Sequence, residues 1–168
     1  GPAFTGALSN LGILLWSATA AIMLFSAYHL YKNTVQRRAA LMTFLFGCLT
    51  AMLCLDDTYQ FHEKAFSGII YVPEELIYVF YLMCIVVIAT VCRVVVVTTP
   101  YIVGLAAMAF FGTSILIDEL NLPSGIHDAF IEDSFKFVGI ALWTVYHYQS
   151  AFGFISDVSW RKENFNKE

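Results

Sequence analysis

Apolar residues are gathered along the chain into five long runs that are separated by short polar stretches. A helix needs roughly 20 mostly apolar residues to cross the hydrocarbon core of a membrane, with about 17 to 25 tolerated. Five segments meet this length, at residues 11–31, 39–55, 76–92, 101–117 and 135–155. The pattern predicts an all-α fold: a polytopic membrane helix bundle of five transmembrane helices, forming a single transmembrane domain over residues 1–168.

The first run and the connection between the third and fourth runs need interpretation beyond their apolar content. The first run lacks a positively charged stretch ahead of it and is longer than the apolar core of a signal peptide, so we expect it to be a retained span. The connection between the third and fourth runs, RVVVVTTP, is itself apolar. Pro100 at its end suits the start of a helix better than an interior. Proline has no backbone N–H, and residues in the first turn of a helix do not need one for a helical hydrogen bond.

Composition supports membrane embedding and excludes several other classes of protein. The chain is 59% hydrophobic and only 13% charged, with a mean hydropathy of +0.70. Soluble domains are usually more charged and less apolar. Nucleic acid is not an expected partner, because the pI is about 5.5 and the sequence has no basic patch. We expect the chain to contact membrane lipids, to bind a divalent cation and to form a homo-oligomer with further copies of itself.

The charged residues are segregated between the two ends of the predicted bundle. Short loops rich in Lys and Arg collect on the cytoplasmic side of a membrane. With the N-terminus outside and the C-terminus cytoplasmic, seven of the nine basic residues fall on the inner side with three of the 13 acidic ones. The outer side then receives two lysines, Lys64 and Lys136, and ten acids: Asp56, Asp57, Glu63, Glu74, Glu75, Asp118, Glu119, Asp128, Glu132 and Asp133.

Those acids occur as pairs at helix ends, and the pairs recur along the chain. The blocks LDD…PEELIYVFY (residues 55–81) and IDE…IEDSFKFVG (residues 117–139) each run from a helix end through an acidic pair, a loop and a second acidic pair to a helix start. A twofold repeat of helix hairpins, helices 2 and 3 matching helices 4 and 5, would explain this plan. Its symmetry axis would run along the membrane normal.

If the helices form one bundle, four acidic pairs meet at one level and would repel each other without a cation or proton. Carboxylates with one or two histidines bind metals in bundle cores, and each block carries a histidine beside an acid. We therefore expect a site for a divalent metal ion, which the sequence does not resolve among Zn, Mn, Fe and Ca. The expected metal ligands are Asp56, Asp57, His62, Glu63, Glu75, Asp118, His127, Glu132 and Asp133.

Two functional readings of this site stay open at the level of sequence. In the first, the metal serves an enzyme acting on a lipid or small apolar substrate, with Glu63 and Lys136 as catalytic groups. In the second, the acids form the outer vestibule of a cation channel or transporter. A receptor or assembly subunit is a third class that nothing in the sequence excludes. The acids at helix starts can also be simple caps that complement the helix dipole.

Overall fold

The computed structural model describes residues 7–32, 36–59, 73–119 and 126–165, and every regular element within these ranges is a helix. The helices are α1 (Ala7–Lys32), α2 (Arg37–Tyr59), α3 (Glu74–Val91), α4 (Arg93–Val96), α5 (Tyr101–Glu119) and α6 (Ile126–Phe165). The predicted all-α class is confirmed.

Three helices are long and apolar enough to cross a membrane: α1, α2 and residues 101–118 of α5. They correspond to the first, second and fourth runs of the sequence. The third run is α3, a shorter apolar helix. The fifth run lies inside α6, which is 40 residues long and mixes polar side chains into its apolar stretch.

The connection RVVVVTTP folds into α4 and a turn that leads directly into α5. Thr98 and Thr99 each donate a hydroxyl hydrogen bond to the carbonyl three residues earlier, at 2.7 and 2.6 Å. The same two carbonyls, those of Val95 and Val96, also accept backbone N–H bonds from Thr98 and Thr99 at 3.0 Å, so each turn is closed by two hydrogen bonds. Helix α5 begins at the residue after Pro100, as the sequence predicts.

Helix α1 lies at the centre of the packing, between α2 and α6, and α5 packs along the other side of α6. Helices α3 and α4 touch α2 only slightly. The α2–α3 hairpin is therefore packed differently from the α5–α6 hairpin, so the twofold repeat stays a prediction.

One indole ring connects the four closely packed helices. Trp143 of α6 is 2% exposed, and its ring contacts Trp16 of α1, Phe46 of α2 and Phe111 of α5, with centroid separations of 6.2, 5.8 and 6.4 Å. Its Nε1 donates a 3.1 Å hydrogen bond to Oγ1 of Thr50 on α2. Edge-on aromatic contacts and hydrogen bonds are directional, so they specify which faces of the four helices meet.

Large apolar side chains cover the outside of the helices. Phe25 and Ile102 are each 70% exposed, and Leu14 is 65% exposed. Exposed apolar patches of this kind are rare on soluble monomers and are normal on surfaces that face lipid.

Packing between α5 and α6 should depend on the absence of a side chain at Gly139. A Cβ there would lie 2.7 Å from two atoms of the Phe111 ring, and that ring is held between Trp16 and Trp143. We expect Gly139→Ala to lower the free energy of unfolding by about 1–3 kcal/mol, the usual cost of overpacking a core. Thermal unfolding of the detergent-solubilised protein measures it.

The matched control is Gly112→Ala on α5, where a Cβ would meet nothing within 4 Å. Alanine is the better helix former, so this variant should keep or slightly raise the unfolding temperature. Equal behaviour of the two variants would contradict the close α5–α6 approach.

Candidate functional site

Asp56 and Asp57 lie in the last turn of α2, where the helix dipole disfavours negative charge. Neighbouring residues on a helix point about 100° apart, so two adjacent aspartates cannot share one partner easily. The structure separates them accordingly: Asp56 is directed to α3 and Asp57 to α6.

Asp57 forms an ion pair with Lys136 on α6. The lysine Nζ donates to Oδ1 of Asp57 at 2.5 Å. The Asp57 side chain is only 9% exposed, whereas the Lys136 side chain is 36% exposed. The second oxygen of Asp57, Oδ2, is buried without a hydrogen-bond partner among the described residues. A buried carboxylate oxygen left in this way retains its capacity to accept a proton or to bind a cation.

Asp133 lies one helical turn before Lys136 on α6 and is partly buried. Burial raises the pKa of the Asp133 carboxyl, the nearby Lys136 ammonium lowers it, and the charge of Asp57 raises it again. The net direction is upward, so Asp133 holds a proton more tightly than an ordinary aspartate. Asp57, Asp133 and Lys136 are called the carboxylate–lysine cluster below.

A cavity of about 10 Å³ adjoins the carboxylate–lysine cluster. Leu8 and Ser9 at the start of α1 form one side of it, and Phe137 and Ile140 of α6 complete the lining. Such a volume is close to the minimum that holds one water molecule. The cavity accommodates one water or one bare ion and no organic substrate.

Asp56 belongs to a separate contact. It is 7% exposed and lies within hydrogen-bonding range of the Tyr81 hydroxyl on α3. The predicted metal site placed both aspartates in one ligand set, and the structure gives them different neighbours.

The acidic end of the bundle is the end that carries Asp57 and Asp133, and it also holds the other predicted ligands that the structure describes, Glu75, Asp118 and Glu132. Glu132 is partly buried at the start of α6, and its backbone carbonyl accepts a 3.3 Å hydrogen bond from Ser114 of α5. Glu75 and Asp118 are exposed. His62 and Glu63, and the side chain of His127, lie outside the described part of the structure.

Among the side chains that the structure describes, no three of His, Cys, Asp or Glu are grouped so as to hold a metal ion. Three predicted ligands, His62, Glu63 and His127, are not among those side chains. The metal site therefore stays a prediction, as does the catalytic role of Glu63.

Buried polar groups farther inside the bundle were not assigned to the site from sequence. Thr19 of α1 donates a 2.9 Å hydrogen bond to Thr144 of α6. His147 of α6 is completely buried among aromatic rings, and neither ring nitrogen has a hydrogen-bond partner among the described residues. Polar residues on a helix face give a sequence signal for inward orientation, but Ser9 and Tyr81 lie in runs where no such signal separates them from lipid-facing positions.

The ion pair should stabilise the attachment of α2 to α6. Lys136→Met keeps the length of the side chain and leaves the buried Asp57 carboxylate without its cation. We expect the free energy of unfolding to fall by about 1.5–3 kcal/mol, the usual contribution of a hydrogen bond to a charged group. Chemical or thermal unfolding in detergent measures the change.

Adding Asp57→Asn to Lys136→Met should recover most of that loss, because the buried charge is then removed. Lys32→Met is the matched control, since Lys32 is exposed and its ammonium only lies over the Tyr28 ring at 4.7 Å. A double variant as unstable as Lys136→Met would show that the lysine acts through packing alone.

The raised pKa of Asp133 predicts a pH-dependent effect of Asp133→Asn. The folded state favours the protonated carboxyl, so the contribution of Asp133 is fully present below its unfolded pKa of about 3.9 and is lost as pH rises through the folded pKa. Asn imitates the protonated form. We expect Asp133→Asn to be more stable than the unsubstituted protein at pH 7 and equally stable near pH 4.

Unfolding temperatures at pH 4, 5, 6 and 7 check this, with Asp118→Asn as a control at an exposed carboxylate of α5. A stability difference for Asp133→Asn that is constant over this pH range would contradict the prediction.

Comparisons with known proteins place the chain in a family without assigning an activity. No curated protein sequence and no solved structure matches it significantly. A family model described as "Domain of unknown function (DUF8692)" matches residues 1–150. Because that match covers most of the sequence, the chain belongs to the DUF8692 family.

Proposed function

We propose that this chain is an integral membrane protein that binds one small cation, a proton or a single metal ion, at the carboxylate–lysine cluster. Cation binding there would serve a channel or transporter. The observation that carries the proposal is the Oδ2 atom of Asp57, which is buried without a partner beside a carboxyl whose pKa is raised.

The charges of the cluster favour one further positive charge. Asp57 and Asp133 together supply two negative charges when both are ionised, and Lys136 supplies one positive charge. A low-polarity environment makes the remaining negative charge costly. Protonation of Asp133 removes that cost, and so does an ion that contacts both carboxylates.

The volume beside the cluster supports cation binding over catalysis. A space of about 10 Å³ has room for one ion and none for a lipid. The metal-dependent enzyme predicted from sequence draws on His62 and Glu63 among its candidate groups, and these two lie outside the described residues, so it stays a prediction.

The arrangement in the membrane that we propose has five crossings, with the N-terminus outside and the C-terminus in the cytoplasm. Three of the helices that the structure describes have the length and composition of membrane spans. The end of the bundle opposite the carboxylate–lysine cluster is called the basic end, because it carries Lys32, Arg37 and Arg93. The positive-inside rule puts the basic end in the cytoplasm and the cluster at the outer face.

The test is uptake of Mn²⁺, Zn²⁺, Ca²⁺ or protons into liposomes that contain the purified protein, together with the metal content of that protein. We expect uptake of at least one of these cations above that of empty liposomes. Asp57→Asn and Asp133→Asn should each weaken binding or uptake tenfold or more, as the loss of a group at an ion site commonly does.

Asp133→Asn separates loss of function from loss of folding, because it is expected to be more stable than the unsubstituted protein at pH 7. Asp118 belongs to the ligand set predicted from sequence but does not line the cavity of the carboxylate–lysine cluster, so Asp118→Asn should leave uptake unchanged. Lost uptake in this variant would assign the cation to the wider predicted ligand set and overturn the assignment to the cluster. Uptake equal to that of empty liposomes, with no metal bound, would overturn the proposal.

A further inference from the structure

A cleft of about 770 Å³ opens at the basic end of the bundle, far along the helices from the carboxylate–lysine cluster. The first turn of α2, the connection from α4 to α5 and the C-terminal half of α6 enclose it. This volume lies within the range of about 300–1,000 Å³ that is typical of small-molecule pockets.

Two arginines give the cleft its charge. Arg37 and Arg38 line it from the first turn of α2, and both are exposed. Asp157 of α6 also lines the cleft, and its carboxylate accepts a 2.5 Å hydrogen bond from Nε2 of Gln36. The two guanidinium groups outnumber this single carboxylate, so the cleft favours an anion.

The hydrogen-bond donors of the cleft point to the same conclusion. The hydroxyl hydrogens of Thr98, Thr99 and Ser150 are already donated to backbone carbonyls. These hydroxyl groups have no further hydrogen to donate to a ligand, so the charged arginine side chains are the main donors.

Part of the cleft wall is apolar. Val94, Val95, Pro100 and Phe154 line it beside the charged groups. A phosphate ion would occupy a small part of the space and would leave these walls exposed to water. A molecule with an anionic head and an apolar body matches both parts of the lining.

We propose that this cleft binds an anionic phospholipid, with Arg37 and Arg38 contacting its phosphate and the apolar wall contacting its glycerol and the start of its acyl chains. Basic pockets between membrane helices on the cytoplasmic side bind lipid headgroups in this way. The inference rests on the membrane embedding in the proposed function and is independent of the cation site.

Native mass spectrometry of the purified full chain tests this, with phosphatidylglycerol or phosphatidylcholine added in equal amounts. The unsubstituted protein should retain phosphatidylglycerol in preference. Each arginine near an anionic surface changes binding by about fivefold, so Arg37→Gln with Arg38→Gln should weaken retention roughly thirtyfold. Arg93→Gln is the control, because Arg93 is exposed at the same end and does not line the cleft.

Two further measurements identify the occupant. Val94→Asn changes an exposed wall residue and should weaken phosphatidylglycerol retention without altering the response to inorganic phosphate. The unfolding temperature is also measured with inorganic phosphate and with phosphatidylglycerol. An equal rise with both would identify a free-anion site and overturn the lipid assignment. Light scattering reports the particle mass, and a mass that falls in the double arginine variant with unchanged lipid retention would identify a second copy as the occupant.

Equal retention of the two lipids, or full retention by the double arginine variant, would also overturn the proposal. Cation uptake measured on the same double variant keeps the two proposals apart. It should be unchanged, since the arginines and the carboxylate–lysine cluster lie at opposite ends of the bundle.

Discussion

The free-energy cost of burying charge among apolar side chains governs how this chain folds at its acidic end. The end of α2 carries two aspartates where the helix dipole opposes them. Neither is left to solvent alone: Asp57 is paired with Lys136, and Asp56 lies against Tyr81. Because these partners belong to α6 and α3, the two acids link α2 to helices other than α1, its main neighbour.

Inside the bundle, aromatic contacts and hydroxyl hydrogen bonds take over the same task of fixing neighbours. Trp143 contacts rings from α1, α2 and α5 and donates to Thr50. The Thr19–Thr144 bond joins α1 to α6. These directional contacts distinguish one helix pairing from another in a medium where apolar surfaces are interchangeable. The electrostatic pair at the acidic end and the aromatic core are thus two independent restraints on α6.

Sequence patterns were sufficient to predict the helical class and the positions of most helices, because the length and apolar content of a run are properties of one helix at a time. They could not give the neighbours of each helix. Helix α1 carries no acid and supplied none of the predicted ligands, yet Leu8 and Ser9 line the same cavity as Asp57. Asp133 and Lys136 were both predicted site residues and are three positions apart, which places them on one face of a helix, and the structure brings both to Asp57. Arg37 and Arg38 were read only as markers of orientation, since a cleft between three elements leaves no local trace in sequence.

The slight attachment of α3 has a consequence for the buried carboxylate that it covers. Helix α3 touches α2 only lightly, whereas α1, α2, α5 and α6 are held together around Trp143. Asp56 thus has its contact on a lightly attached helix, whereas Asp57 is paired with a residue of the helix that carries Trp143. Separation of α3 from α2 would remove the Tyr81 contact of Asp56 and would leave the Asp57–Lys136 pair in place. The two adjacent aspartates therefore differ in how firmly their partners are held.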